Sequence, residues 1–168
     1  MPTPIAYISL GSNLGDSRRI LREALSRLAR FSDDPVASSS FWQTSPVDCP
    51  PGSPPFLNAV AGLRVRAGET PESWLRALRD LEVELGRTPK KVLNEPRSLD
   101  LDLISFGEEI RNTPELILPH PRAHLRRFVL QPLSELAPEF VLPGQSLSVR
   151  QLLAGLPAGD VVVPLSGN

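Results

Sequence analysis

The chain is poor in cysteine, because Cys49 is the only one among 168 residues. A single cysteine cannot form an internal disulfide, which excludes the class of small, disulfide-stabilised secreted domains and favours a reducing compartment. No apolar run approaches the ~20 residues of a membrane-spanning helix, and the N-terminus lacks the basic and apolar regions of a signal peptide. We therefore expect a cytoplasmic protein that does not associate with a membrane.

Aromatic residues and net charge are also scarce. Phe, Trp and Tyr make up 5% of the chain, and the net charge is -1. Sheets that bind RNA present exposed aromatic side chains beside a basic surface, so nucleic acid is not an expected partner. Hydrophobic residues account for 40% of the chain, which fits a single globular domain over residues 1–168. No long apolar helix face is left over, and we expect a monomer.

Hydrophobic periodicity predicts the element order strand, helix, strand, strand, helix, strand. The predicted elements are strands at 5–10, 36–42, 57–66 and 99–106, a helix capped by Asp16 or Ser17, and a helix that begins at Thr70 and stops at Gly86. This order is typical of a ferredoxin-like α+β fold with a βαββαβ core, in which helices cover one face of an antiparallel sheet. C-terminal additions follow, with a short helix near 148–153, and the proline-rich segment 45–55 and the basic segment 87–96 are predicted loops.

Two carboxylates interrupt the last apolar strand of this core. Asp100 and Asp102 are two residues apart, so they share one face of a strand while Leu99, Leu101 and Leu103 face the core. Carboxylate oxygens at this spacing can converge on Mg²⁺, which completes its coordination with substrate phosphates and water. A solvent-facing strand edge without a metal is the alternative, since this pattern alone is a weak signal.

Two basic clusters fit the chemistry of a polyphosphate. Arg87 and Arg97 lie in or next to the loop before the aspartates, and His120 and Arg126 lie in the segment 118–132. Arginine can bind two phosphate oxygens at once, which makes Arg97 the strongest candidate. A metal site formed by His120 and His124 is disfavoured, because Pro121 intervenes and a third ligand is lacking.

Two further patterns concern ligand binding near turns. Gly11, Ser12 and Asn13 connect a strand to a helix but lack the lysine and spacing of a Walker A loop. Phe56 and Asn58 could hold a planar heterocycle by stacking and hydrogen bonding. A core phenylalanine and a strand-end amide are the alternative for that pair.

Six motifs in a fixed order resemble the 6-hydroxymethyl-7,8-dihydropterin pyrophosphokinase family. They run almost from end to end: YISLGSNLGD, SSFWQTSPV, FLNAV, LEVELGR, PRSLDLDLISFG and LPHPRAHLRRFVLQPL. The resemblance implies the ferredoxin-like fold and the transfer of pyrophosphate from ATP to the hydroxymethyl group of the pterin, with AMP as the second product. It also implies that the enzyme uses two Mg²⁺ ions as cofactors and that the reaction belongs to folate biosynthesis.

The resemblance further implies a role for each matching residue. Asp100 and Asp102 would hold the metal ions, and Arg97 would take part in catalysis with them. The implied ATP-binding residues are Glu82, Arg87, Arg97, His120 and Arg126. The implied pterin-binding residues are Thr44, Val47, Phe56, Asn58 and Phe128.

The sequence departs from the family pattern just before the aspartates. The family commonly reads R-W-G-P-R there, whereas this chain has Asn94 in place of the tryptophan and Pro89 in place of a second basic residue. Two other functions remain as alternatives: a different Mg²⁺-dependent phosphotransferase, and a noncatalytic ferredoxin-like binding module. The binding module would leave Asp100 and Asp102 unexplained.

Overall fold

The computed structural model describes residues 3–44, 51–52, 54–86, 99–157 and 162–164. Its helices are α1 (Ser17–Leu28), α2 (Pro71–Glu84), α3 (Arg127–Leu136) and α4 (Val149–Ala154). Its strands are β1 (Ile5–Ser12), β2 (Ala37–Ser38), β3 (Trp42–Thr44), β4 (Phe56–Arg64), β5 (Asp100–Phe106), β6 (Arg111–Asn112), β7 (Ile117–Leu118) and β8 (Val162–Pro164). None of the helices in these ranges has the length and apolar character of a membrane span.

The main sheet has the strand order β5-β1-β4-β3-β8, and the short strand β2 also pairs with β4. All of its pairings are antiparallel. The central strands β1 and β4 are buried on both faces, with Ile8, Leu10, Ala59 and Leu63 in one core and Tyr7 and Val60 in the other. The ferredoxin-like α+β class expected from the element order is confirmed.

The two helices of the predicted core cover one face of the sheet, as expected, and helices of the C-terminal additions cover the other. On the first face, α1 and α2 bury Leu21 and Leu78 against the odd-numbered residues of β4. On the second face, α3 and α4 bury Leu133 and Val149 against Tyr7, Val60 and Ile104. The second face is covered because C-terminal residues fold back over the sheet.

Helix α3 is not among the elements predicted from the sequence. Its sequence carries Val129, Leu130 and Leu133 on its buried side, at helical spacing. Pro132 lies inside the helix and obscured this pattern, because proline lacks the N–H that a helix interior uses. The strand expected at 36–42 is also different, since β2 and β3 are separate short strands on the same edge of β4.

The predicted helix boundaries are confirmed. The Asp16 side chain accepts a hydrogen bond from the backbone N–H of Arg19, which caps α1. Thr70 and Ser73 form a reciprocal capping box at the start of α2. Gly86 follows the end of that helix with a φ of 95°, a conformation that favours glycine.

Candidate active site

One row of paired residues crosses the sheet and forms the floor of the candidate site. Asp100 of β5 lies opposite Gly11 of β1, Gly11 lies opposite Asn58 of β4, and Asn58 lies opposite Trp42 of β3. Directly paired residues in a sheet share a face, and neighbouring strands are ~4.8 Å apart. Asp100 and Asn58 therefore stand about 10 Å apart across a glycine that leaves the floor between them open.

The aspartates lie on the second face of the sheet, as the alternation of β5 predicts. Asp100 and Asp102 are half-buried, whereas Leu101 and Leu103 point into the core of the first face. Glu82 of α2 is 3% exposed, and its Oε2 accepts a hydrogen bond from the backbone N–H of Leu101 at 2.8 Å. This carboxylate therefore fixes the strand at the residue between the two aspartates.

His120 is brought to the aspartates by a backbone hydrogen bond. Its N–H donates to the carbonyl oxygen of Ile104 on β5 at 2.8 Å, after a cis peptide bond between Leu118 and Pro119. Burial lowers the pKa of His120 to about 4, and the charges of Arg126 and Arg122 act in the same direction against the opposite effect of Asp100. The imidazole is thus neutral near pH 7.

The hydrogen-bond network assigns the proton of this neutral imidazole. The backbone N–H of Arg122 donates to Nδ1 of His120 at 3.2 Å, so Nδ1 is the acceptor and Nε2 carries the hydrogen. His120 can therefore donate one hydrogen bond to an anionic ligand without adding a charge to the site.

Arg126 supplies the positive charge in this part of the site. Burial lowers the pKa of its guanidinium, Asp102 and Asp100 favour the charged form, and Arg122 opposes it. Its Cζ atom lies 5.3 Å from the centre of the Phe128 ring, within the range of a cation–π contact. The expected ATP-binding residues His120 and Arg126 are thus placed beside the aspartates.

The expected pterin-binding residues gather on β3, β4 and α3. Nδ2 of Asn58 donates to Oγ1 of Thr44 at 2.9 Å, and both side chains are buried. Phe56 lies opposite Thr44 in the β3–β4 pairing and is half-buried. Phe128 lies in the first turn of α3, on the second face of the sheet.

The other expected site residues, Arg87, Arg97 and Val47, lie outside the described residues, as do Asn94 and Pro89. Two described residues of the site were not expected from the sequence. Arg122 lies close enough to affect the pKa values of His120 and Arg126, although its sequence signal was only its place in a basic cluster. Gly11 was interpreted as a turn residue, whereas it pairs within β1 on the floor of the site.

The donor set of the aspartate pair suits a hard cation. Asp100 and Asp102 offer carboxylate oxygens on one half-buried face, and strand β1 lies between them and the amide of Asn58. Mg²⁺ is usually bound by one or two carboxylates together with phosphate oxygens and water. Across the residues that the structure describes, no group of three or more His, Cys, Asp or Glu side chains is arranged to hold a metal ion.

Comparison with protein families gives one match over most of the chain. A family model described as 7,8-dihydro-6-hydroxymethylpterin-pyrophosphokinase matches residues 7–138. A Pseudomonas aeruginosa protein named 2-amino-4-hydroxy-6-hydroxymethyldihydropteridine pyrophosphokinase is 39% identical over 152 residues, which are 90% of this chain and 91% of that protein. A Haemophilus influenzae protein of the same name is 37% identical over 143 residues, with 84% and 87% covered.

Solved structures share the fold at lower sequence identity. The wild-type HPPK-DHPS of Plasmodium falciparum, crystallised with pteroate, superposes with a TM-score of 0.69 at 14% identity. The superposition covers 91% of this chain but 42% of that chain, so this chain spans less than half of the solved protein. This likeness concerns the fold alone.

Proposed function

The chain belongs to the 7,8-dihydro-6-hydroxymethylpterin-pyrophosphokinase family and transfers pyrophosphate in folate biosynthesis, and we propose here which of its residues bind the substrates. The expected enzyme class, an ATP-dependent diphosphotransferase, is confirmed by this membership. The observation that carries the proposed site is the row from Asp100 through Gly11 to Asn58. It joins a phosphate side and a pterin side across one open floor.

The phosphate side is formed by β5 and the segment before α3. Asp100 and Asp102 would hold Mg²⁺, two ions by family resemblance, and bound metal would supply positive charge to the phosphate oxygens. Arg126 would contact the phosphates as a cation, while His120 would donate a hydrogen bond through Nε2. We propose that Glu82 acts on this side by holding the backbone of Leu101, because its Oε2 is engaged there at 2.8 Å.

The pterin side is formed by β3, β4 and α3. Phe56 and Phe128 would enclose the ring between two aromatic faces, and Asn58 and Thr44 would offer hydrogen bonds to its polar edge. Asn58 is 3% exposed and already bound to Thr44, so its amide is oriented before the substrate arrives. Arg87, Arg97 and Val47 keep their expected roles as proposals.

The reaction joins the two sides. The hydroxymethyl oxygen of the pterin attacks the β-phosphorus of ATP, and its proton is released to water. The bond between that phosphorus and the α,β-bridging oxygen breaks, and AMP leaves with that oxygen. The hydroxyl is a weak nucleophile, so the acceleration comes from alignment and from neutralising charge on the phosphates. A neutral His120 suits this task because it adds a donor beside Arg126 without further like-charge repulsion.

Product analysis tests the function. We expect the protein, with ATP, Mg²⁺ and 6-hydroxymethyl-7,8-dihydropterin, to form AMP and a diphosphorylated pterin in equal amounts, as resolved by anion-exchange chromatography. Formation of ADP, or a turnover that does not depend on the pterin, would identify a different phosphotransferase. The absence of both turnover and ATP binding would favour a noncatalytic module.

The aspartates are tested in the same assay. Asp102→Asn removes a negative charge without changing the side-chain shape, and we expect it to lower kcat by about a thousandfold. Asp80→Asn on the exposed side of α2 is the matched control and should retain wild-type kcat. An Asp102→Asn protein that folds normally and keeps most of its activity contradicts the metal-binding role.

Three further properties stay predictions. We propose that residues 1–168 form a single pyrophosphokinase domain, that this domain is monomeric, and that it acts in the cytoplasm. Sedimentation velocity at several protein concentrations tests the oligomeric state, and a sedimentation coefficient that rises with concentration would contradict a monomer.

A further inference from the structure

The carboxylate of Glu135 accepts hydrogen bonds from three donors of one short segment. Oε2 accepts from the backbone N–H of Ser40 at 3.2 Å and from its hydroxyl at 2.9 Å. Oε1 accepts from the indole Nε1–H of Trp42. Glu135 belongs to α3, whereas Ser40 and Trp42 precede and begin β3, so this carboxylate joins a helix to a strand 93 to 95 residues away in sequence.

The strand that Glu135 holds carries part of the pterin side. β3 has three residues, and Trp42 lies directly opposite Asn58. Thr44, at the end of β3, accepts the hydrogen bond from the Asn58 amide. The strand is only three residues long and pairs with β4 and β8, so a side-chain anchor at its first residue adds a contact to α3 that the sheet itself does not supply.

The helix that carries Glu135 also carries the opposite wall of the pterin side. Phe128 lies in the first turn of α3, and Glu135 follows seven residues later. Seven residues make almost two turns of a helix, so the two side chains lie on the same side of α3, about 10 Å apart along its axis. The same helix face therefore meets the ligand at one end and the anchor of β3 at the other.

We propose that Glu135 is a positioning residue that sets the spacing between α3 and β3 and thereby the affinity for the pterin. This rests on the proposed function, in which Phe128 on the helix and Thr44 and Asn58 on the strands bind opposite sides of that substrate. In this proposal Glu135 acts through Ser40 and Trp42 rather than through a contact with either substrate. We expect its effect to fall mainly on the pterin, because Glu82 and the backbone hydrogen bond of His120 hold the phosphate side independently of β3.

Glu139 provides a matched comparison close by in the chain. It is an exposed glutamate that pairs with Arg150 at 3.0 Å, and both side chains are about two-thirds exposed. An isolated exposed ion pair of this kind contributes little to stability. Glu135 differs because its three hydrogen-bond donors all come from one segment, residues 40–42. Three hydrogen bonds to one carboxylate fix both the distance and the orientation between α3 and this segment.

The experiment compares the Glu135→Gln and Glu139→Gln variants. Glutamine keeps the shape of Glu135 but turns an N–H₂ group toward donors, so at least one hydrogen bond is lost. We expect the KM for the pterin to rise about tenfold in Glu135→Gln, with kcat and the KM for ATP within about twofold of wild type. Glu139→Gln should leave all three values at wild type.

Two single-donor variants keep the test independent of the stability of Glu135→Gln. Trp42→Phe removes the indole N–H and Ser40→Ala removes the hydroxyl, and each should raise the pterin KM by a smaller factor. The double variant Glu135→Gln/Trp42→Phe should be no worse than Glu135→Gln alone, because the two residues act through one interaction. The ¹H and ¹⁵N chemical shifts of the Trp42 indole N–H should change in Glu135→Gln and should be unchanged in Glu139→Gln.

The outcomes separate this proposal from the proposed function. Wild-type protein without pterin-dependent AMP formation overturns the function and this inference together. Normal wild-type turnover combined with an unchanged pterin KM in Glu135→Gln, Trp42→Phe and Ser40→Ala overturns the positioning role alone. An equal rise in the KM for ATP also overturns it, because that result indicates a general loss of structure.

Discussion

Gly11 is important to the site because it lacks a side chain. A Cβ atom at this position would lie 3.1 Å from Oδ1 of Asn58 and 3.8 Å from Cδ1 of Phe56. The first distance is shorter than an ordinary contact, so a side chain here would require the Asn58 amide to shift by a few tenths of an ångström. The site floor between Asp100 and Asn58 therefore depends on a glycine within a strand, a position where glycine often marks close approach of another group.

We expect Gly11→Ala to raise the KM for the pterin about tenfold, because it moves Asn58 away from its hydrogen bond with Thr44. Gly155→Ala is the control, since a Cβ atom there would meet only ordinary contacts of 3.5 Å and more. Steady-state kinetics with each substrate varied in turn measure the effect. A pterin KM equal in both variants would show that the Asn58 amide tolerates the added methyl group.

His120 gives a pH dependence of stability whose sign follows from its lowered pKa. Folding reduces the pKa of the imidazole from 6.5 to about 4, so between these values the unfolded chain binds more protons than the folded protein. The contribution of His120 to the free energy of unfolding is therefore constant with pH above about 6.5, and it falls as the pH decreases from 6.5 to about 4.

Replacing His120 by glutamine should remove this part of the pH dependence. We expect the difference in unfolding free energy, variant minus wild type, to increase in favour of the variant as the pH is lowered from 6.5 to 4. Urea unfolding in EDTA without nucleotide measures it, because metal and ATP would change the charges around the imidazole. A difference that stays constant over this range would contradict a lowered His120 pKa.

Strand β5 is positioned by an element that it does not pair with in the sheet. It lies at the edge of the sheet beside β1, and the backbone N–H of Leu101 is satisfied by Glu82 of α2. This carboxylate is almost completely buried on the first face, while the aspartates that it holds project onto the second. Helix α2 therefore takes part in the site through the backbone of β5.

Removing this acceptor should affect both stability and turnover. We expect Glu82→Ala to lower the free energy of unfolding by about 2 kcal/mol, because Leu101 keeps a buried N–H without a partner. We also expect a lower kcat, since the aspartates lose their fixed spacing, whereas Glu82→Gln retains an acceptor oxygen and most of the activity. Urea denaturation and initial rates would contradict this role if Glu82→Ala behaved like wild type in both.

The elements differ in how far the sequence predicted them. Helix α2 was predicted with its cap at Thr70 and its stop at Gly86, because those signals are local and lie within a few residues of each end. Helix α3 was missed, because Pro132 opposes a helix locally and packing against the second face outweighs that preference. Tertiary burial of an apolar face commonly supplies most of a helix's stability.

At the scale of the whole molecule, the sheet separates two cores with different tasks. The first face is closed by α1 and α2, and among the described residues Glu82 is the one expected ligand-binding side chain buried on it. The second face is covered by α3 and α4 over Tyr7, Val60 and Ile104. The row from Asp100 to Asn58 lies on this same face, which also holds Phe128 of α3.

Both cores should contribute to one cooperative unfolding transition. Leu78 and Leu133 are fully buried on opposite faces, and we expect either Leu→Ala change to cost about 2–5 kcal/mol. Val141→Ala is the control, since Val141 is 41% exposed and should cost under about 0.5 kcal/mol. Denaturation followed by circular dichroism and by tryptophan fluorescence tests this, and separate transitions would contradict a single folding unit.

The sequence by itself determined the family, the order of the main elements of the βαββαβ core and the face on which the aspartates lie. These follow from local information: motif identity, caps at Asp16 and Thr70, and the two-residue alternation of a strand. Only the tertiary structure decided that Gly11 forms the floor of the site, that Glu82 holds β5, and that Glu135 anchors β3 to α3. Each of these depends on the register of paired strands or on a contact between distant segments, and no local pattern in the chain encodes such a distance.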